Sequence, residues 1–441
     1  MRRVLAAALV LYVALAAPHG HTAELSNGTE VRLLAGDEAK ALIQADFIRF
    51  DPSYLDHQTS FGDRLTRLGK RLSDLQAAGH DLECSNEIYL EAKWLQRYTS
   101  YWDELKQRLN DLEKSLDDLD QDSAVQQSAD TGLWGPCYHR SFFKLEATML
   151  ALIELHSLGE APKFPIRMPP PFETFASAFI HFRSLLVSDI ARTGVDNRGE
   201  LGNLSTVGSL AYFKAYLQDY LGEIIGLPRN KDESKVTAHE NSEAFSKFVE
   251  AWQDPVSGYW GAWYSSGGRL YKTADLSFTF HIISYRRGDI DHWPAITETT
   301  LAIENEPYPY GWRHEGQFTN HNNYDVAKIF RYGWPHMTPQ QRQRAATEID
   351  EMLHWTLTSS LQRDGSFKTV PSFFSSIGAD FYFGVSFLQT IGFWDRKDRF
   401  WTERDFPEAP AICRQIKAQL KEMALKSHES EVALQRLSRT C

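Results

Sequence analysis

The sequence predicts an all-α protein, a closed α/α toroid of five to six helical hairpins preceded by N-terminal amphipathic helices. Three observations support this fold class. Apolar residues recur with helical periodicity along much of the chain. Loops rich in glycine and tryptophan recur at separations of 67, 59, 53 and 54 residues, counted between Gly132, Gly199, Gly258, Gly311 and Gly365. Helices that are apolar all round alternate with helices that carry one charged face.

The N-terminus predicts a cleaved signal peptide over residues 1–23. Two arginines precede an apolar run from Val4 to Ala17, Ala14-Leu15-Ala16 offers a small-x-small cleavage site, and a second site ends at Ala23. This apolar run is shorter than the roughly 20 residues that a membrane-spanning helix needs, which disfavours the alternative of an uncleaved anchor. Later segments hold no run that is long and apolar enough to span a membrane. We therefore expect a soluble secreted or periplasmic protein.

Charge and length limit the function classes and the domain organisation. The 441-residue chain has 47 Lys and Arg against 58 Asp and Glu, a net charge of −11. A nucleic-acid-binding surface requires a basic stripe, which this sequence lacks, so we expect no nucleic-acid partner. The length fits one large ring or two to three average domains. We prefer an N-terminal helical region over 24–125 followed by a toroid domain over 126–441, and leave the oligomeric state open.

The four cysteines predict two disulfide bonds rather than a metal site. An even number of cysteines in an exported chain favours disulfides, and four cysteines allow three pairings. We favour Cys84–Cys137 and Cys413–Cys441, because each of these pairs closes a shorter loop than the other pairings do. Free buried thiols are the alternative. The chain has no C-x-x-C motif and no Cys/His cluster with zinc-ligand spacing, so we expect neither a metal nor another cofactor.

The N-terminal region predicts a leader over residues 24–35 and then amphipathic helices. Four leucines from Leu65 to Leu75 recur at helical spacing, in a helix that ends near Gly79. A second pattern alternates steps of four and three from Tyr98 to Leu119, which indicates a short coiled-coil seam or an outer helix of the ring. The polar stretch 120–130 predicts a loop.

Within the repeats, each loop precedes an apolar helix, and a more charged helix follows. The loops occupy residues 132–135, 198–202, 258–261, 311–316 and 364–367. The segment from about Gly378 to Gly392 is apolar nearly all round, as in a buried inner helix. Thr338, Pro339 and Gln341 predict a capping box at the start of an outer helix. The apolar stripe of that helix comprises Ala345, Ile349, Met352, Leu353, Leu357 and Leu361.

One repeat resembles a known superfamily. The string Gln253-Asp-Pro-Val-Ser-Gly258-Tyr-Trp-Gly261, followed by Thr273-Ala-Asp275-Leu-Ser-Phe-Thr-Phe, is similar to the repeat of the terpenoid-cyclase and prenyltransferase-like α/α toroids. Residues 361–367 form a looser second copy. The resemblance covers residues from about 130 to 400, and it implies the toroid fold. The same fold carries many glycoside hydrolases and polysaccharide lyases, so the resemblance does not choose among activities.

Acidic residues near the starts of four predicted inner helices are candidates for catalysis. Glu146, Asp275, Asp325 and Asp380 each follow a loop glycine by 14 or 15 residues. Two carboxylates about 5–10 Å apart would suit glycosidic hydrolysis, which needs an acid and a base or nucleophile. The alternative is a structural one, because an acid in the first turn of a helix gains about 0.3–1 kcal/mol from the helix dipole.

The densest polar run, residues 320–325, predicts a polar face on one inner helix. That face comprises residues 321, 324, 325, 328 and 332 and would look into the central cavity, although a solvent-facing helix is the alternative. For a lyase, Asn320 would neutralise a substrate carboxylate while His321 or Tyr324 removes the neighbouring proton. For a hydrolase, Asp325 or Glu315 would act as the acid, with Asp275 or Asp380 as the second carboxylate.

Aromatic and basic residues of the repeat loops are candidates for substrate binding. Four aromatics lie in predicted loops and would stack on sugar rings, namely Trp260, Trp263, Tyr271 and Trp312. The alternative is that they attach the loops to the ring. Arg269, Arg313 and His314 are candidates for binding an anionic group. Together these features predict an exported enzyme that cleaves a glycan as a hydrolase or a lyase; the alternative is a non-catalytic toroid that binds a glycan, lipid or peptide.

Overall fold

A computed structural model describes residues 22–24, 30–34, 36–80, 82–119, 127–167, 175–204, 247–314, 316–369, 377–425 and 427–441. The predicted signal peptide as far as residue 21, most of the predicted loop 120–130, and the candidate acid Glu315 lie outside these residues. The described part of the chain is mostly helical and also contains a small mixed sheet. None of its helices is both long and apolar enough to cross a membrane.

The helices are distributed along the described residues, from 36 to 440. They are α1 (Gly36–Phe50), α2 (Tyr54–Ala77), α3 (Glu83–Tyr98), α4 (Trp102–Asp117), α5 (Ser141–Leu158), α6 (Phe175–Leu185), α7 (Ile190–Thr193), α8 (Leu276–Tyr285), α9 (Trp293–Ala302), α10 (Asn320–Gly333), α11 (Pro339–Trp355), α12 (Ile377–Thr390), α13 (Ala409–Met423) and α14 (His428–Thr440). A π-helical turn, Thr356–Ser360, extends α11, and short 3₁₀ turns lie at Trp334–His336 and Arg396–Asp398.

A five-stranded sheet corrects the expectation of an all-α chain. Its strands are β1 (Thr22–Glu24), β2 (Glu30–Leu34), β3 (Val187–Ser188), β4 (Trp263–Ser266) and β5 (Arg269–Thr273), in the order β1-β2-β5-β4-β3. β2 pairs with β5 in parallel, although more than 230 residues separate the two strands. Residues 30–34 are therefore a paired strand, whereas the sequence pattern predicts a leader there.

Two glycines form the turn of the β-hairpin between β4 and β5. Gly267 and Gly268 both have positive φ, of 56° and 78°, as the tight two-residue hairpin turn that fits the twist of antiparallel strands requires. The pairing places Trp263 opposite Lys272 and Tyr264 opposite Tyr271. The prediction that Trp263, Arg269 and Tyr271 belong to loops is therefore wrong, since all three lie in strands.

Several local predictions are confirmed. Thr338 accepts a hydrogen bond from the backbone N–H of Gln341, and the Gln341 side chain accepts one from the Thr338 N–H, which completes the predicted capping box of α11. The apolar helix expected near 378–392 is α12. Both favoured disulfides are present, with Cα–Cα distances of 5.4 Å for Cys84–Cys137 and 6.2 Å for Cys413–Cys441.

Other local predictions need correction. The pattern from Tyr98 to Leu119 is not one helix, because α3 ends at Tyr98 and α4 begins at Trp102. Thr99, between them, forms a β-bridge with Val195, which turns the chain out of the helix. Residues 198–204 are helical, so the second predicted repeat loop is the start of a helix.

The packing of the helices connects the two ends of the chain. α10 packs against α8 on one side and α12 on the other, and α12 also packs against α14 and against the N-terminal α2. α2, α3 and α4 pack on one another. Two clusters of buried apolar residues result, one extending from Leu34 to Tyr310 and the other from Tyr259 to Leu437. The helices that position the site therefore belong to both clusters.

Candidate functional site

One large cavity lies between helices drawn from the whole chain. Its volume is about 1490 Å³, and its walls are formed by side chains of α1, α2, α3, α5, α8, α10, α12 and α14, together with the segment around residues 305–316. Its lining is rich in aromatic rings and in titratable groups of both signs. A concave site of this kind, with polar groups converging on it, is the first place to look for function.

α10 is held in the wall by three asparagines that point away from the cavity. Asn320 donates to the Ser360 hydroxyl at 2.8 Å, Asn322 to the Trp312 carbonyl at 2.6 Å, and Asn323 to the Thr356 hydroxyl at 3.4 Å. Because Asn320 is buried against Ser360 and lies outside the cavity lining, the predicted role of Asn320 in binding a substrate carboxylate is wrong.

His321 is the first cavity-lining residue of α10. Its ring makes edge contacts with Phe383 at 4.5 Å and Tyr308 at 5.4 Å between centroids, and its Nδ1 lies 2.9 Å from the Asn322 amide oxygen. The Asp325 carboxylate approaches the same nitrogen to 3.9 Å. Burial lowers the pKa of His321 to about 3, and the positive charges of Arg97 and Lys93 add to this shift. The imidazole is therefore neutral at pH 7.

Tyr324 lines the cavity one turn further along α10. Lys328 donates a hydrogen bond to its hydroxyl at 2.8 Å, and the phenol ring contacts Phe280 at 5.4 Å and Tyr382 at 6.2 Å. Burial raises the pKa of Tyr324 to about 12. Tyr324 is therefore protonated at neutral pH, with the Lys328 amino group beside its oxygen.

The basic side of the cavity comes from α3. Lys93 and Arg97 are one helical turn apart and both line the cavity. The Arg97 guanidinium lies 4.6 Å from the centroid of the Tyr308 ring and donates to the Tyr308 carbonyl at 3.2 Å. Burial, helped by the charge of Arg97, lowers the pKa of Lys93 to about 7. Since Tyr308 also contacts His321, these cations lie on the His321 side of the cavity.

A second histidine, His281 of α8, also lines the cavity. Its ring stacks on Tyr285 at 5.9 Å, and its Nδ1 is buried without a hydrogen-bond partner among the described residues. Burial lowers the pKa of His281 to about 4, with a smaller contribution from Lys328. The site therefore contains two neutral imidazoles near two lysines, Lys93 and Lys328.

Three of the four predicted catalytic acids lie outside the cavity lining. Asp275 is fully buried and caps α8, with one carboxylate oxygen accepting the Phe278 N–H at 3.1 Å. Asp325 is fully buried, and neither of its oxygens has a hydrogen-bond partner among the described residues. Burial raises the pKa values of Asp325 and Asp380 well above the usual range. The expectation that these acids face the cavity is wrong.

Glu146 is the one acid of that set that does line the cavity. It lies on α5, and burial raises its pKa to about 7. A carboxyl with a raised pKa is suited to donating a proton, and hydrolysis by the usual route requires a second carboxyl near it. Asp275, Asp325 and Asp380 do not supply one inside the cavity, whereas Glu87 and Glu429 also line it.

The predicted binding residues divide into two groups. Trp260 is fully buried and donates its indole N–H to the Val249 carbonyl at 2.8 Å, and Trp312 is buried against Phe330. These two tryptophans therefore hold loops in place and cannot stack on a sugar, and the three strand residues Trp263, Arg269 and Tyr271 also lie outside the cavity lining. Arg313 and His314 do line the cavity, where Arg313 pairs with Glu304.

The sequence patterns missed several cavity-lining residues. These are Lys93, Trp94, Arg97, Tyr98, His281, Tyr308, Tyr382 and Arg436. On α3 a signal was present, since Lys93 with Arg97 and Trp94 with Tyr98 are both pairs at i, i+4 spacing. That pattern predicts a face with basic and aromatic groups, but nothing local predicts which helix it meets.

Two groups of side chains in the described part of the chain have the spacing to hold a metal ion. One is Cys84, Glu87 and Cys137, but both cysteines are oxidised in a disulfide and so cannot act as thiolate ligands. The other is Glu304, Glu348 and Glu351, outside the cavity, where Glu304 is already paired with Arg313. Neither group brings a metal to the histidines.

Comparison with known proteins adds no functional assignment. No protein-family model, no curated protein and no solved structure matches this chain.

Proposed function

We propose that the protein is an exported polysaccharide lyase that cleaves an acidic glycan by acid/base chemistry inside this cavity. One observation carries the proposal, namely that His321 and Tyr324 share the cavity wall with the Arg97 guanidinium and with Lys93, which is partly protonated at neutral pH because its pKa is about 7. A lyase needs those parts: a base, an acid, and a positive group beside the substrate carboxylate. The two disulfides agree with the oxidising environment that an exported protein enters.

The same proposal includes a closed α/α toroid. From α3 onward, α3, α5, α8, α10, α12 and α14 contribute to the cavity wall while α4, α6, α7, α9, α11 and α13 do not; α1 and α2 also contribute to it. The contact between α12 and α2 joins the C-terminal and N-terminal parts of the chain. This alternation supports an inner ring of helices around the cavity and an outer ring behind it.

The pKa values of His321 and Tyr324 favour the imidazole as the base and the phenol as the acid. Neutral His321 accepts the proton from the carbon next to the uronate carboxylate, and the electron pair of the broken C–H bond forms a C=C bond. The glycosidic C–O bond breaks at the adjacent carbon, and protonated Tyr324 donates its proton to the leaving oxygen. Lys328, at 2.8 Å, supports the phenolate that results. Environments that push two pKa values apart are typical of an acid/base pair.

Lys93 and Arg97 supply the charge that this step requires. Removal of the proton builds negative charge onto the carboxylate, and preorganised cations stabilise that charge strongly in a site shielded from water. A bound carboxylate also offsets the positive field on His321, which raises the pKa of the imidazole and makes it a stronger base in the complex. Burial is the main cause of the low pKa of His321, so the carboxylate counteracts the smaller part of the shift that comes from Arg97 and Lys93.

The test is digestion of a panel of uronic-acid and neutral glycans, with two readouts. New ultraviolet absorbance reports the unsaturated product of a lyase, and new reducing ends without that absorbance report hydrolysis. We expect absorbance on a uronic-acid glycan and a loss of about 100-fold or more in Tyr324→Phe. Tyr332→Phe is the matched control, because Tyr332 is on the same helix but outside the cavity lining. Reducing ends alone would refute the lyase assignment, and no product on any glycan would favour a binding protein.

A further inference from the structure

The cavity has a second end with the opposite charge. Helix α3 contributes Asn86 and Glu87 near its N-terminus and Lys93 and Arg97 near its C-terminus, and all four line the cavity. At about 1.5 Å per residue, Glu87 and Lys93 are about 9 Å apart along the helix axis, and Asn86 and Arg97 are about 16 Å apart. The two ends of one helix therefore present opposite charges to one continuous space.

Acids from three helices line the cavity and influence one common neighbour, Tyr138. Glu87 of α3, Glu146 of α5 and Glu429 of α14 line the cavity, and all three act on the Tyr138 hydroxyl, where their negative charges add to burial in raising the pKa of Tyr138. By contrast, the pKa of His321 is lowered by burial and, in addition, by the positive charges of Arg97 and Lys93. The electrostatic environment thus changes sign between Tyr138 and His321.

Asn86 provides an independent indication of a ligand at this end. Its side chain is 5% exposed, and its amide oxygen has no hydrogen-bond partner among the described residues, although the residue lines the cavity. A buried acceptor without a partner is costly, by about 1–3 kcal/mol. A ligand N–H or O–H donor at this position removes that cost.

We propose that the end formed by Asn86, Glu87, Glu146 and Glu429 binds the ammonium group of an unacetylated amino sugar, so that the substrate carries both uronate and amino-sugar residues. This rests on the proposed function only for the uronate at the basic end. A positive group near Glu87 gains charge-assisted hydrogen bonds from the carboxylates and an acceptor in the Asn86 amide oxygen. Cleavage at His321 and Tyr324 then occurs between the two ends.

Glu146 and Tyr324 both influence one further cavity-lining residue, Tyr285. Burial raises the pKa of Tyr285 well above its usual range, and Glu146, Tyr382 and Tyr324 add to this shift. We therefore expect an amino sugar bound by Glu87 and Glu429 to place the next residue of the glycan toward Tyr324. The charges at the two ends fix the direction in which the glycan lies, because a reversed chain sets the ammonium against Lys93 and Arg97.

The experiment measures binding directly, so that it does not depend on catalysis. Isothermal titration calorimetry on the full chain compares a chitin oligomer in which one residue carries a free amine with the same oligomer in its fully N-acetylated form. We expect the free amines to bind roughly tenfold or more tightly, and we expect Glu87→Gln with Glu429→Gln to abolish that preference. Glu422→Gln, on the exposed face of α13, is the matched control.

Failure of this inference differs from failure of the proposed function. Equal affinity of the wild-type protein for the two oligomers, or a preference that survives in Glu87→Gln with Glu429→Gln, would overturn the ammonium site. A third outcome combines a preference that is lost in the double variant with a wild-type protein that releases no unsaturated product from any glycan. That outcome would support the ammonium site and refute the lyase assignment. Because the comparison between ligands uses the wild-type protein, it stays decisive even if a variant does not fold.

Discussion

The cap of α8 offers a sharp test, because the hydrolase and lyase readings disagree about Asp275. One oxygen of its fully buried carboxylate accepts the Phe278 N–H, and the other has no partner among the described residues. Asp275→Asn keeps an equally good capping oxygen and removes the ionisable group. In a hydrolase that uses Asp275, this change abolishes activity; in the proposed lyase it leaves activity intact.

The structure also gives the expected change in stability. Burial raises the pKa of Asp275 from 3.8 to about 6. The carboxyl of Asp275 therefore binds its proton more tightly in the folded chain than in the unfolded chain. The stabilisation of the folded state by this protonation is complete below pH 3.8 and is lost as the pH rises to about 6. At about 1.4 kcal/mol per pKa unit, ionised Asp275 costs the folded state about 3 kcal/mol at pH 7. Asp275→Asn removes that cost.

Urea unfolding followed by tryptophan fluorescence, at pH 4 and pH 7, measures this effect. We expect Asp275→Asn to be more stable than the wild type by up to about 3 kcal/mol at pH 7, and the difference to shrink toward pH 4. Asp56→Asn, at an exposed position of α2, is the control and should change little. A folded Asp275→Asn protein that is less stable at pH 7, or that has lost activity, would refute this reasoning.

Two further predictions concern the basic side of the site and the C-terminal disulfide. Arg97→Gln removes a positive charge that lowers the pKa of His321; the acidic limb of the kcat/KM profile should therefore move to higher pH, and KM for a uronic-acid glycan should rise roughly tenfold. An unchanged profile would place Arg97 away from the bound carboxylate. Replacing Cys413 and Cys441 together with serine opens a loop of 28 residues and should lower the free energy of unfolding by about 3–4 kcal/mol in urea titrations. Equal stability of the double variant and the wild-type protein would contradict that expectation.

The sequence predicted best those features whose interacting residues are close together in the chain. The capping box at Thr338 and Gln341 involves groups three residues apart, so the sequence displays it directly. The Gly267-Gly268 pair was an equally local hairpin signal, but the expectation of a wholly helical chain left it unused. The parallel pairing of β2 with β5 has no such local signal, because the partner strands lie far apart in the chain.

The sequence predicted the part of the candidate site that lies on one helix, and it did not predict the residues that other helices bring to it. The polar run on α10 correctly indicated His321 and Tyr324, since a buried polar face must meet a cavity. Each residue turns about 100° around a helix, however, so Asn320 points away from His321. Asp325 lies one turn after His321, with its carboxylate 3.9 Å from the His321 Nδ1, but it is fully buried outside the cavity lining. Lys93 joins His321 only through packing between α3 and the later helices, and periodicity within one helix carries no information about its partners.

The parallel pairing of β2 with β5 also sets an order of events during synthesis. Residues 30–34 leave the ribosome early, whereas their partner at 269–273 follows more than 230 residues later. At about 5–20 residues per second, this delay amounts to roughly 10–50 s. During that interval the nascent strand has an open edge that any other extended chain can join. Helices α1 to α4 can form within this time, but the sheet that anchors the N-terminus must wait until more than half of the chain has been made.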